Sequence, residues 1–83
     1  MDKGMSSNIV HRYFKKELDG STILVRVNPI YLKGNELIIN PKGKVDHREL
    51  AFDEQIFDDL AADDFKETSP LEFHLYFSGL AGV

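Results

Sequence analysis

The sequence predicts a small α+β fold, in which a mostly antiparallel sheet in the chain order β-β-β-β-α-β carries one amphipathic helix on one face. Three observations predict it. Tight-turn signals separate apolar runs in the first half of the chain, an acidic amphipathic segment follows them, and strict apolar–polar alternation comes near the C-terminus. A period of two residues between turn signals is typical of strands, and a period of 3.6 is typical of helices.

The composition fits one domain spanning 1–83, with a flexible leader over 1–8 and a frayed end over 79–83. Apolar residues make up 42% of the chain, which is enough to form a core. The absence of cysteine excludes disulfides and thiolate metal sites, and it favours a cytoplasmic protein. Since no apolar run approaches the roughly 20 residues that span a bilayer, we expect no membrane partner.

The first two strands are predicted to form a hairpin about Asp19-Gly20, because both central residues of a type I′ turn need a positive φ. The helical spacing of apolar residues in 9–18 offers a helix as the alternative; we predict the hairpin, which places Phe14 opposite Val25. One face of it collects Val10, Phe14, Leu18, Ile23, Val25 and Val27. The other face collects His11, Tyr13, Lys15, Glu17, Thr22, Leu24 and Arg26.

The third strand is predicted between two turn signals. Pro29 removes a ladder donor and interrupts the second strand, which we expect to resume over 30–32. Gly34-Asn35 is a candidate two-residue hairpin turn. The next strand then covers 36–40, whose apolar run is typical of a strand covered on both faces.

The fourth strand is predicted over 44–51, after a type I turn at 40–43 with proline in its second position. Its main apolar residues, Val45 and Leu50, would point to opposite faces of a regular strand. We therefore expect a bulge or a shortened strand here.

The helix is predicted over 53–64. Asp53 is a favourable N-cap, and Phe52 and Phe57 have the spacing of a hydrophobic staple. The apolar stripe that faces the sheet contains Ile56, Phe57, Leu60, Ala61 and Phe65.

The last strand is predicted over 71–78, after a loop over 66–70. Leu71, Phe73, Leu75 and Phe77 alternate with Glu72, His74, Tyr76 and Ser78. The pattern does not decide whether this strand pairs with the first strand or with the fourth.

Charge is divided unevenly along the chain. Residues 1–50 carry nine Lys/Arg and six Asp/Glu (+3), whereas residues 51–83 carry one lysine and eight Asp/Glu (−7). The predicted helix contributes the acidic residues Asp58, Asp59, Asp63 and Asp64. A solvated face is the favoured interpretation; the functional interpretation is a docking surface for a basic protein partner, and a weak divalent-cation site ranks last.

Single-stranded nucleic-acid binding is the second functional hypothesis. Exposed aromatic residues on a basic sheet can stack on bases. The residues that would provide this surface are Arg12, Tyr13, Lys15, Arg26 and Lys33. The net charge of −4 opposes this interpretation, because phosphate contacts dominate such affinity.

No motif predicts catalysis. The three histidines lack HxxxH or HExxH spacing, no GxSxG elbow is present, and the glycines form no phosphate-binding loop. We therefore predict no catalytic residue, no metal ligand and no cofactor. The leading hypothesis is a non-catalytic module for protein interaction or self-association, possible as a homodimer, and a small metal-assisted enzyme ranks third.

Overall fold

A computed structural model describes residues 10–81, except for the side chains of residues 80 and 81, so the predicted leader lies outside the described residues. The elements are β1 (Arg12–Leu18), β2 (Ser21–Asn28), β3 (Lys33–Ile39), β4 (Val45–Ala51), α1 (Ile56–Ala62), β5 (Lys66–Thr68) and α2 (Leu71–Ala81). The strands form one antiparallel sheet in the order β4-β3-β2-β1-β5. The predicted small α+β class is confirmed, with a second helix after the fifth strand.

The first hairpin has the predicted register. Phe14 lies opposite Val25, and the turn residues have positive φ angles, 54° at Asp19 and 83° at Gly20. The helical alternative for this segment is therefore wrong. The turn chemistry decides the structure locally, because few other residue pairs tolerate these angles.

The second turn is not at Gly34-Asn35, as predicted, but at residues 29–32. The Asn28 carboxamide oxygen accepts hydrogen bonds from the backbone N–H groups of Ile30 (2.9 Å) and Tyr31 (3.1 Å). Leu32 then adopts a left-handed conformation, with a φ of 57°. The strand expected over 30–32 is therefore wrong, because the asparagine side chain stabilises a turn there.

Gly34 and Asn35 lie inside β3. A Cβ atom on Gly34 would come within 1.8 Å of the carbonyl oxygen of Arg26 on the neighbouring strand. The glycine therefore permits a close approach of two backbones instead of forming a turn.

β4 pairs with β3 along its whole length, from Val45 opposite Ile39 to Ala51 opposite Lys33. The expectation of a bulge or a shortened strand is therefore wrong, since β4 is a regular strand of seven residues. Val45 and Leu50 do point to opposite faces, and each is only partly buried.

The sheet is covered on both faces. The face that we call the α1 face has a core of Phe14, Val25, Val27 and Leu60, with Ile23, Phe52, Ile56, Phe57 and Phe65 around it. The opposite face, the α2 face, has a core of Tyr13, Leu24, Leu37, Ile39 and Phe73, with Val45, Tyr76 and Phe77 around it. The alternation of side chains along each strand supplies both faces at once.

α1 begins at Ile56, three residues after the predicted N-cap. The Asp53 carboxylate accepts a hydrogen bond from the Gln55 N–H at 2.9 Å and so forms a turn before the helix. Phe52 and Phe57 both pack on the α1 face, but the staple predicted for them is wrong, because with the N-cap at Gln55 they do not occupy the positions that a staple joins. Ala61 is exposed, so its assignment to the buried stripe is wrong.

The strand predicted over 71–78 is a helix, α2, and the expected frayed end at 79–81 belongs to it, whereas residues 82 and 83 lie outside the described residues. The Pro70 carbonyl accepts the N–H of His74 at 3.0 Å and opens the helix. Leu75 is 70% exposed and Phe73 only 1%, although strict alternation would bury both.

The fifth strand is instead β5, in the segment that was predicted to be a loop. It pairs with β1, where Phe14 lies opposite Glu67. The sequence did not decide whether the last strand pairs with the first strand or with the fourth; in the structure it pairs with the first.

Candidate partner-binding edge and groove

β4 forms one edge of the sheet, and within residues 10–81 no strand pairs with its outer side. Backbone hydrogen bonds run from Phe52 N–H to the Leu32 carbonyl (2.7 Å) and from Asn40 N–H to the Lys44 carbonyl (2.9 Å). Both pairs follow the register of β3 and β4. In an antiparallel ladder every second pair is hydrogen-bonded, so the even-numbered residues of β4 bond to β3.

The odd-numbered residues of β4 therefore direct their N–H and C=O groups away from the sheet. These residues are Val45, His47, Glu49 and Ala51. Their side chains lie on the α2 face, because their partners in β3 include the buried Leu37 and Ile39. The edge thus presents four residues whose outward N–H and C=O groups have no strand partner in the described part of the chain.

An open groove lies beside this edge, on the part of the α2 face that α2 leaves uncovered. Its volume is about 470 Å³. The lining residues are His11, Asn28, Lys33, Gly34, Asn35, Glu49, Leu50 and Ala51. Glu49 and Ala51 belong both to the groove and to the outward-facing row, so the groove and the edge form one continuous surface.

A polar network forms the wall between this groove and α2. Arg26 donates to the Asn35 carboxamide oxygen from Nε (3.2 Å) and from Nη2 (2.7 Å), while its guanidinium stacks on Phe73 and Phe77 at 4.9 and 4.8 Å. The Asn35 amide nitrogen lies 3.0 Å from His47 Nε2. Arginine can only donate, so the Asn35 nitrogen is the donor to His47, whose Nε2 accepts.

His11 lies in the lining of the groove and has a perturbed environment. Burial lowers the pKa of His11 below its usual 6.5, and the nearby charges of Arg26 and His74 lower it further. His74 is held by Tyr13, whose hydroxyl lies 3.0 Å from Nε2. These surroundings therefore favour the neutral form of His11 over its cation.

The edge strand carries one neutralised charge and two unpaired ones. The Arg48 guanidinium donates to the Glu36 carboxylate, with Nε 2.9 Å from Oε1. Neither Asp46 nor Glu49 makes a salt bridge with another of the residues 10–81. The unpaired charge of β4 is therefore negative.

A second groove of about 680 Å³ lies near the opposite edge of the sheet. Its lining residues are Lys15, Lys16, Glu17, Leu18, Asp64, Lys66, Glu67 and Thr68. Three lysines face three carboxylates, and Lys15 already contacts Glu72 at 2.9 Å and Glu17 at 3.6 Å. These balanced charges indicate no class of ligand.

The acidic residues predicted as a docking surface do not share one helical face. Asp58 and Asp59 lie in the first turn of α1, near the positive end of the helix dipole. Asp63 follows the last helical residue, and Asp64 has a left-handed φ of 66°. The separation arises because α1 ends at Ala62, before Asp63 and Asp64. All four side chains are exposed, and their role in partner binding stays a prediction.

Of the residues predicted for nucleic-acid binding, Tyr13, Lys15 and Arg26 share the α2 face, where they contact residues of α2. Tyr13 is 9% exposed, under Phe73 of α2, and Lys15 pairs with Glu72. Arg12 lies on the α1 face, where it forms a bidentate pair with Glu67 at 2.9 Å. Lys33 lines the first groove and Arg26 is in its wall, so the expectation of an exposed aromatic and basic face is wrong because α2 covers it.

The three histidines belong to different parts of the fold: His11 precedes β1, His47 lies in β4 and His74 lies in α2. Among residues 10–81, no three histidine, aspartate or glutamate side chains converge in a way that could hold a metal ion. Neither helix in this part of the chain is long and apolar enough to cross a membrane.

The unpaired edge and its groove were missed by sequence reasoning. Strand β4 was predicted, but the order of strands in a sheet depends on tertiary pairing. The available signal was the strand's composition, since Asp46, Arg48 and Glu49 are the charged residues that natural edge strands carry.

Comparison of the chain with protein-family models, with curated proteins and with solved structures finds no match in any of the three.

Proposed function

We propose that this chain is a non-catalytic protein-interaction module that binds an extended segment of a partner protein along β4. The observation that carries the proposal is the row of outward-directed backbone groups on a regular seven-residue edge strand. Strand addition uses such an edge, because main-chain hydrogen bonds supply affinity and neighbouring pockets supply specificity.

The two edges of the sheet differ in their capacity for strand addition. β5 has three residues, whereas β4 has seven, of which five are exposed. The groove continues the β4 surface through Glu49 and Ala51, where side chains of an added strand would lie. Both features favour β4 as the binding edge.

Binding is better supported than catalysis. His11 and Glu49 line the same groove, but that groove is shallow and open to water. General acid–base chemistry benefits from a closed site that excludes solvent. The absence of cysteine makes the proposed surface independent of redox state, in keeping with the cytoplasmic location expected from the sequence.

The test uses two substitutions at one position. Glu49→Pro removes an outward N–H without removing a hydrogen bond to β3, whereas Glu49→Ala removes the same side chain and keeps that N–H. A library of β-prone heptapeptides is screened by amide NMR. We expect binding peptides to shift the amide resonances of Val45, His47, Glu49 and Ala51, and to lose affinity for Glu49→Pro more than for Glu49→Ala.

Peptides that bind both variants equally, or that leave the β4 amides unmoved, would contradict the proposal. Thermal denaturation of both variants verifies that the sheet is intact. Sedimentation at several concentrations distinguishes a partner segment from a second copy of this chain, since only the latter gives concentration-dependent mass.

A further inference from the structure

We infer that the segment bound by β4 runs antiparallel to it and carries two basic residues three positions apart. This inference rests on the proposed function and adds the chemistry of the partner. Its basis is the two carboxylates on β4, Asp46 and Glu49, which form no ion pair within residues 10–81, together with the alternation of side chains along the strand.

The two carboxylates lie on opposite faces of the sheet. Glu49 is an outward-facing residue whose side chain lies on the α2 face and lines the groove. Asp46, three positions earlier, projects from the α1 face opposite Ile38. A single added strand reaches both faces, because its successive side chains alternate between them.

The register of an added antiparallel strand follows from these positions. If residue k of the partner lies opposite Glu49, residue k+3 lies opposite Asp46. The first is a hydrogen-bonded pair and the second a non-hydrogen-bonded pair, in which side chains approach more closely. Lysine or arginine at k and k+3 therefore meets one carboxylate on each face.

The other charges near the edge do not reverse this preference. Arg48 is neutralised by Glu36 and does not repel a basic segment. Lys33 lines the same groove, but it belongs to β3, which lies about 5 Å further from the binding edge than β4 does. Glu49 is therefore the nearer charge for a side chain that enters the groove.

The experiment compares four end-blocked, labelled octapeptides by fluorescence anisotropy and by amide NMR of the full chain. The basic probe is Thr-Lys-Val-Thr-Lys-Val-Thr-Val. Two analogues carry glutamine or glutamate in place of both lysines. The fourth keeps both lysines but separates them by two positions, so that they share one face at the same net charge.

We expect the basic probe to bind about two- to twentyfold more tightly than its glutamine analogue, since each exposed pair contributes about 1.5- to fivefold. The peptide whose lysines are two positions apart should form only one of these two ion pairs. The double variant D46N/E49Q should bind the basic probe and its glutamine analogue with equal affinity. The matched control D19N/E54Q removes the same charge from two exposed positions outside β4 and should preserve the preference for the basic probe.

Three outcomes would overturn the inference. If D19N/E54Q lowers the preference as much as D46N/E49Q, general attraction to an acidic protein explains it. If all four peptides shift the β4 amides with equal affinity, the basic pattern is wrong although strand binding stands. If no peptide shifts those amides, both the inference and the proposed function fail.

Discussion

Replacing Phe73 by alanine should cost this protein a large part of its stability, whereas replacing Leu75 should not. Phe73 is 1% exposed and contacts the rings of Tyr13 and Phe77, with centroids 5.6 and 5.4 Å away. A phenylalanine-to-alanine substitution in a core costs about 3–5 kcal/mol. Loss of the cation–π contact with Arg26, 4.9 Å from the ring, places the expected value in the upper half of that range.

Leu75 is the matched control on the same helix. It is 70% exposed, so about a third of its side chain is buried. Complete burial of leucine is worth about 1.5–3 kcal/mol, and a third of that is about 0.5–1 kcal/mol. Against a total stability of about 5–15 kcal/mol, Leu75→Ala should be nearly silent and Phe73→Ala should not.

The assay is urea denaturation followed by far-UV circular dichroism, with the slope of the transition compared between variants. If residues 71–78 formed the strand that alternation predicts, Leu75 and Phe73 would share the buried face. Leu75→Ala would then cost about 2–5 kcal/mol. Equal losses in the two variants would refute the helix, and Phe73→Leu provides a milder probe if Phe73→Ala does not fold.

Three further predictions concern other parts of the fold. Gly34→Ala should lower the unfolding free energy by more than about 2 kcal/mol, because the added Cβ would collide with backbone atoms. Gly79→Ala should raise it by up to about 1 kcal/mol, because Gly79 lies in a helix and its added Cβ would meet nothing within 4 Å. Similar effects of the two substitutions on the denaturation curve would contradict this prediction. Folding lowers the pKa of His11 below its usual 6.5, so near that pH the unfolded chain binds more protons than the folded one. Stability should therefore fall as the pH drops through 6.5, and it should fall less in His11→Gln. If the melting temperature of His11→Gln has the same pH profile as that of the original chain, the lowered pKa of His11 is contradicted. The hydrogen bond from Arg12 lowers the pKa of Glu67 below its usual 4.5, so the pair stabilises the fold above that pH and this stabilisation is lost as the pH falls below it. Glu67→Gln should remove this pH dependence of stability. Identical acid denaturation of the variant and the original chain would disprove the prediction.

The sequence predicted the parts of the fold whose causes are local. Asp19-Gly20 needs only its own two residues to form the turn that sets the β1–β2 register. Gly34 was misassigned because its role depends on the approach of Arg26 from a neighbouring strand, which no local pattern records. The edge position of β4 was equally hidden, since it depends on where β5 pairs.

The error at residues 71–78 has a particular physical cause. Phe73 and Phe77 are four positions apart, so they share one side of a strand and one side of a helix alike. The distinguishing residues are Tyr76, which packs on the sheet, and Leu75, which does not. Alternation places these two the other way round, and tertiary packing overrides it.

The presence of α2 changes which part of the sheet is available to a partner. Without it, the face carrying Tyr13 and Arg26 would offer rings and cations to a ligand, as the nucleic-acid hypothesis required. In the structure those groups are engaged by Phe73 of α2, so the sheet face is occupied by the chain's own helix. The backbone groups on the outer side of β4 have no strand partner within residues 10–81, and neither helix covers them. Backbone hydrogen bonding selects for an extended polypeptide, and this is the physical reason for placing a protein partner ahead of a nucleic acid.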